Sequence, residues 1–254
     1  MRVFLLTQNE PFFLPKAFKY FFSNLPEDIE IVGCVIFRGS PFGKKQSFLK
    51  KALNTLQTFG VVFFLYYGFW FIINKLSRRP SVEDLMRSKS IPIVPIYGDI
   101  NTVISLQSIK CFEPDLLVSI AGNQIFKKSL IEIGKEGCIN LHTAKLPKYR
   151  GLMPTFWALK NKEKSIGVSV FFVDEGVDSG PIICQEKIEV GENTHKEIIE
   201  ITKNIGMDLI IEAIKKIKLG DYQLIANSDH NSTYYSFPTR SDVRAFKRNG
   251  GKFF

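Results

Sequence analysis

The sequence predicts a mixed α/β fold: a Rossmann-like, mostly parallel sheet with helices on both faces, followed by a short C-terminal extension. Three observations carry this. Residues 3–6 and 29–37 are compact apolar runs on either side of a helical stretch at 14–22, and a strand–helix–strand opening pairs its strands in parallel. Short apolar runs at 115–120, 137–141 and 167–173 recur further along. The chain of 254 residues, 45% apolar and 23% charged, has the length and composition of an ordinary globular core.

In order, residues 3–6 are a buried strand, Thr7, Gln8 and Asn9 a polar turn, and Pro11 the entry to the helix at 14–22. Pro26 breaks that helix, 29–37 is the second strand, and the Arg-Gly-Ser-Pro stretch at 38–41 is a loop. No G-x-G-x-x-G follows the first strand, so a dinucleotide fingerprint is absent.

Residues 52–74 contain no charge, and 59–73 are apolar on every side. Lys44, Lys45, Lys50 and Lys51 precede this segment; Lys75, Arg78 and Arg79 follow it. Its length is near the lower edge of a membrane span, roughly 17–25 residues. A single span, however, would divide the first two strands from the rest of the sheet. A helix in the core or a dimer interface suits the all-round apolar pattern. A helix lying in the membrane interface suits the flanking cations.

Ser81, with Glu83 and Asp84, caps a helix running to Lys89. Two prolines restrict 91–96 to a sheet edge or a strand start. Asn101 opens another helix, 115–120 is a buried strand, and a helix over 128–133 is capped by Gly134. Residues 185–190 alternate as a strand. Thr194 caps a long helix, with Ile198, Ile201, Ile205 and Leu209 at helical spacing, which Gly220 ends. Residues 1–220 thus form the main domain. Residues 221–254 form an extension too short for its own core, with an aromatic cluster at Tyr234, Tyr235 and Phe237; it is expected to wrap over the body with a loose end.

A formal charge of +9 and a pI near 9.3 favour an anionic partner: nucleic acid, a phosphorylated small molecule or an anionic membrane. A solvated basic surface is the plainer alternative. Cys34, Cys111, Cys138 and Cys184 form no C-x-x-C and are read as reduced, with neither zinc nor disulfide role. The first residues are too short an apolar run for a secretory signal, so the cytoplasm is the expected compartment.

The chemistry concentrates between Cys138 and Ile183. Asn140 and His142 are two residues apart on a strand and share a face. An Asn amide can donate to a developing oxyanion, and a His can give or take a proton near neutral pH. Asp178, in the glycine-flanked loop Gly176-Val-Asp-Ser-Gly180, can orient the His or accept a proton through water. Each residue alone has an ordinary structural reading; their order and loop context make the set specific.

The motifs Asn140-Leu-His142, Leu146-Pro-Lys-Tyr-Arg-Gly151, Pro154, Trp157, Gly167-Val168 and Gly176-Val-Asp178-Ser-Gly180 resemble those of the 10-formyltetrahydrofolate-dependent formyltransferases. That family includes methionyl-tRNA formyltransferase, glycinamide ribonucleotide transformylase and the sugar N-formyltransferases. The resemblance implies the formyltransferase fold and a catalytic triad of Asn140, His142 and Asp178. It places the folate at Gln124, Ile125 and Phe126 on one side and at Val173, Asp174, Gly176 and Val177 on the other. No metal is implied. The chain departs from the pattern at Thr143-Ala-Lys145-Leu146, which makes the loop cationic. Lys145, Lys148, Tyr149, Arg150 and Trp157 are accordingly the candidate acceptor residues, the cations meeting phosphates of a nucleotide-linked amino sugar.

Formylation of an aminoacyl-tRNA ranks second. Methionyl-tRNA formyltransferases carry a sizeable further domain, whereas about 34 residues remain after Gly220. A formyltetrahydrofolate hydrolase ranks third. The expected partners are therefore a small-molecule amine, with a homodimer or peripheral membrane contact through 52–74, and nucleic acid less favoured.

Overall fold

The computed structural model describes residues 1–37, 47–77 and 79–254. The loop expected at 38–41, and Lys44, Lys45 and Arg78, lie outside the described residues. In chain order the elements are β1 (Arg2–Gln8), α1 (Leu14–Asn24), β2 (Glu30–Phe37), α2 (Phe48–Phe59), α3 (Val61–Leu76), α4 (Val82–Ser88), α5 (Val103–Lys110), β3 (Leu116–Ile120) and α6 (Lys128–Ile131). They continue with β4 (Cys138–His142), β5 (Arg150–Gly151), α7 (Pro154–Lys160), β6 (Ser165–Phe172), β7 (Ile182–Glu189), α8 (His195–Leu219), β8 (Tyr234–Tyr235) and α9 (Arg240–Arg248).

Among the described residues the central sheet has the order β2-β1-β3-β4-β6-β7. The first four strands are parallel; β6 and β7 are antiparallel to their neighbours. Strand β1 lies inside this sheet, and its alternation divides the core. Val3 and Leu5 face a layer built by α1, α4 and α8, whereas Phe4 and Leu6 face Ile109 of α5 and Leu130 of α6. Thr194 and Glu197 cap α8 reciprocally, and Gly220 ends it in a left-handed conformation.

The proline-interrupted stretch at 91–96 forms no full strand. It contributes one bridge, Ile93 to Cys34 on β2, because each proline removes a ladder donor. The segment at 52–74 also differs from a single helix. Gly60, at φ 89°, splits it into α2 and α3. It is not a core helix either, since α3 has no buried residue. Among the described residues no helix is long and apolar enough to cross a membrane.

The C-terminal extension is tied down to its last residue, contrary to the expected loose end. Phe253 is buried against Phe59, Phe156 and Phe246, and Phe254 stacks on Tyr66 with ring centroids 3.9 Å apart. The carbonyls of Lys252 and Phe253 accept the His195 and Lys196 N–H groups at the start of α8. A third apolar cluster therefore joins α2, α7, α9 and the chain end.

Candidate active site

In a sheet of parallel strands, ligands collect at the carboxyl ends. Here β1, β3 and β4 end together, and Gln8, Ala121, Gly122, Asn140 and His142 line one cleft of about 470 Å³. That size suits a small organic ligand. Its far wall has a less obvious origin. The register of β4 and β6 pairs Ile139 with Phe172, so the following loop departs beside the start of β4. The loop folds back over the sheet and brings Asp178 Oδ2 to 3.7 Å from His142 Nδ1.

His142 is buried, and its Nε2 lies 2.8 Å from the Tyr149 carbonyl oxygen. A carbonyl only accepts, so Nε2 carries the hydrogen and Nδ1 of the neutral ring is left as an acceptor facing Asp178. Asp178 sits at φ 51° and is held in place: Oδ2 accepts the Gly151 N–H at 2.8 Å, and its carbonyl accepts Asn227 Nδ2 at 2.9 Å. Gly151 has φ 92°, and an added Cβ would lie 2.3 Å from the Tyr235 carbonyl oxygen, so only glycine fits there. The Asn140 side chain has no hydrogen-bond partner among the described residues and lines the same cleft.

The loop after His142 is strapped to the sheet. Ser169 Oγ donates to the Ala144 carbonyl at 2.6 Å, and Gln185 Nε2 donates to the Leu146 carbonyl at 3.0 Å. Gly167 lets this loop lie on β6, since a Cβ there would meet the Lys145 backbone at 2.5 Å.

All seven residues assigned to the folate line the cleft: Gln124, Ile125 and Phe126 after β3, and Val173, Asp174, Gly176 and Val177 after β6. Ile125 is 46% exposed, an apolar side chain left open on the cleft wall. Two polar members are already occupied. Gln124 accepts the Ile100 N–H and donates to the Gly98 carbonyl; Asp174 accepts from Ser179 and from the Gly176 N–H. Both brace their loops, leaving backbone and apolar surface to meet a ligand.

The acceptor-side candidates are placed differently. None of Lys145, Lys148, Tyr149, Arg150 and Trp157 lines the cleft. Lys145 and Lys148 are exposed. Arg150 is buried and engaged, donating to Asp229 at 2.6 Å and to the Asn227 carbonyl at 3.0 Å. Tyr149 donates to Glu163 and stacks on Tyr235; Trp157 stacks on Tyr235 and donates to the Ser236 carbonyl. Arg150, Tyr149 and Trp157 hold the extension on the loop after His142, where β5 pairs with β8.

Lys203 and Phe237 are among the cleft residues that the sequence reading did not assign to the site. Lys203, on α8, lines the cleft and a small recess walled by Phe12, Phe13 and Glu200. Burial pushes its ammonium below the ordinary lysine range, and Glu10 pulls in the opposite direction. It has no hydrogen-bond partner among the described residues. Its helix shows ordinary amphipathic spacing, so nothing in the sequence separates it from the solvated lysines beside it. Phe237 belongs to the noted aromatic cluster, but only the fold brings it to the cleft. Among the described residues no group of three His, Cys, Asp or Glu side chains is placed to hold a metal.

Comparison with known families matches residues 104–214 to the formyl transferase family. Residues 104–214 belong to this family. The matched region contains Asn140, His142, Asp178 and Lys203. Methionyl-tRNA formyltransferase of Kosmotoga olearia is 33% identical over 179 residues, covering 70% of this chain and 57% of the relative. That of Thermodesulfovibrio yellowstonii is 41% identical over 116 residues, 45% of this chain and 38% of the relative. The matches thus span 57% and 38% of these two relatives' own lengths.

Solved structures share the fold at lower identity. A sugar N-formyltransferase from a Shewanella species superposes with a TM-score of 0.61 at 17% identity, covering 98% of this chain and 87% of that one. The Helicobacter canadensis N-formyltransferase, in complex with folinic acid and dTDP-3-aminofucose, gives 0.55 at 19% identity, with 95% and 72% covered. Phosphoribosylglycinamide formyltransferase from Bacillus halodurans gives 0.58 at 18% identity, with 86% and 95% covered.

Proposed function

We propose that this protein transfers a formyl group from 10-formyltetrahydrofolate to a primary amine, that of a nucleotide-linked amino sugar. The observation that carries the reading is the convergence, in one cleft, of an unpaired Asn140 amide, the acceptor nitrogen of His142 and the Asp178 carboxylate.

The cleft suits a folate donor. The exposed Ile125 and the apolar Phe126, Val173 and Val177 offer a wall for a flat ring, and the orphaned Asn140 amide awaits a carbonyl oxygen. When bound, the donor supplies an activated formyl carbon on nitrogen. Asn140 donates to the formyl oxygen as charge gathers there while the amine nitrogen adds to the carbon. Asp178, directly or through a water, removes the proton from that nitrogen, and His142 Nδ1, the free acceptor beside the carboxylate, can take that proton over. The new C–N bond forms as the bond to the donor nitrogen breaks, and that nitrogen takes up the proton the amine released.

For the acceptor, Lys203 is the lysine that lines the cleft among the described residues, and Phe237 adds an aromatic side chain to the same lining. These are partners for a phosphate and a planar ring, the chemistry of a nucleotide-linked sugar. The folate- and nucleotide-sugar-bound Helicobacter canadensis enzyme, of the same fold, supports this choice. A second reading, formylation of an aminoacyl-tRNA, is favoured by the methionyl-tRNA formyltransferases among the sequence relatives.

Incubation with 10-formyltetrahydrofolate and a panel of amino-sugar nucleotides and charged tRNA separates the readings. The expected result is a mass gain of one formyl group on an amino-sugar nucleotide. Gain on tRNA alone selects the second reading, and formate release without any acceptor defeats both.

A further inference from the structure

Helix α3 has one docked stripe and one bare one. Phe63, Tyr66, Tyr67, Trp70 and Asn74 face the protein. Trp70 packs on Phe12 and Phe13, Asn74 Nδ2 donates to the Pro11 carbonyl at 3.3 Å, and Lys196 Nζ donates to Tyr66 Oη at 3.0 Å. On the opposite stripe Val62, Leu65, Phe69, Ile72 and Leu76 are 67%, 62%, 68%, 54% and 75% exposed. Their three- and four-residue spacing makes them one continuous apolar face. Leu49 and Leu53 on α2 are also exposed. A contiguous patch of this kind marks an interaction surface, whereas scattered exposed leucines do not.

Charge decides the occupant. No aspartate or glutamate occurs over residues 31–82, while Lys50 of α2, Lys75 at the end of α3 and Arg79 beyond it are exposed cations. A two-fold contact with a second copy sets this patch against itself, so cations meet cations with no carboxylate from the segment between them. An anionic bilayer has the complementary arrangement: an apolar boundary for the bare stripe and negative headgroups for the lysines. At sixteen residues, α3 is about 24 Å long and lies along the surface without crossing it.

We propose that the α2–α3 segment docks the protein on an anionic membrane surface, with the bare stripe of α3 in the headgroup–acyl boundary. The docked stripe makes the segment part of the body: Phe59, at the end of α2, packs on Phe237 of the cleft wall with ring centroids 5.9 Å apart. Membrane docking does not depend on what the cleft binds.

Flotation of the full chain with vesicles tests it. The wild type should rise with phosphatidylcholine vesicles containing phosphatidylglycerol. It should rise much less with phosphatidylcholine alone or in high salt. Leu65→Glu with Phe69→Glu should abolish flotation while leaving circular dichroism and thermal unfolding unchanged, since both side chains are exposed. Lys75→Gln should lower the bound fraction about fivefold. Failure of the wild type to float overturns the proposal. So does flotation that survives Leu65→Glu with Phe69→Glu, or light scattering that finds a dimer which this double variant dissociates.

Discussion

Asp178 and His142 face each other at 3.7 Å, and the carboxylate oxygen that faces the ring also takes the Gly151 N–H at 2.8 Å. With Nε2–H directed at the Tyr149 carbonyl, the ring presents its remaining nitrogen to that carboxylate. The pair is fixed by two backbone groups of a single loop, Tyr149 O and Gly151 N, and that loop is pinned by the C-terminal extension.

Removing the pair should remove the reaction and leave the fold. Asp178→Asn and His142→Ala should each lower formyl transfer by roughly 10²–10⁴-fold. Asn140→Ala should lower it by about 10²–10³-fold. Thermal melts alongside single-turnover assays check this; wild-type turnover in either Asp178→Asn or His142→Ala sinks the proposed mechanism.

Gly151→Ala should act through Asp178. The new Cβ meets the Tyr235 carbonyl and φ 92° strains any side chain, so the β5–β8 pairing and the N–H to Asp178 shift together. Formyl transfer should fall at least tenfold, with the donor KM little changed, measured by initial rates at saturating acceptor.

Lys203→Met should separate binding from stability. The acceptor KM should rise about tenfold or more through loss of a charge-assisted contact, while the donor KM stays constant. Stability should hold or increase, because the substitution removes a cation that burial already disfavours. An unchanged acceptor KM excludes an acceptor role for Lys203.

Acid should loosen the extension. His195 is buried among Phe156, Phe246 and Phe253, its Nδ1 has no partner, and burial lowers its pKa to about 4. In the unfolded chain it takes a proton near pH 6.5. Between those values the unfolded state binds the proton and the folded state does not, so stability falls as pH drops from about 6.5 towards 4. The full loss is roughly 3 kcal/mol. Urea midpoints across this range should show it, and His195→Gln should flatten the dependence.

Phe246→Ala should cost roughly 3–5 kcal/mol, as for other fully buried aromatic truncations. Because Phe246 belongs to the cluster joining the extension to α2 and α7, activity should fall with folding in denaturant titrations, instead of the extension detaching alone.

Local pattern made much of this fold legible. The strands at the centre of the sheet are short apolar runs, α8 carries its own cap and stop signals, and the Asn140–His142 pair shares a face through strand alternation alone. The split of 52–74 was less accessible, because a lone glycine in an apolar run does not announce a break between two helices. Arg150, Tyr149 and Trp157 read as ligand-binding residues, since their type and loop position suit phosphate and ring recognition. Their partners, Asp229, Asn227 and Tyr235, lie about eighty residues later, where no local rule reaches.

By itself, then, the sequence determined most of the element types, the family resemblance and the identity of the three candidate catalytic groups, all of which depend on short-range order along the chain. Tertiary structure decided where they point. The loop after β6 leaves beside Cys138, a strand's length from His142, and folds back to place Asp178 beside it. Packing also chose which cation enters the cleft, Lys203 instead of Arg150, because occupancy by distant partners is a property of the folded surface and is not encoded in neighbouring residues.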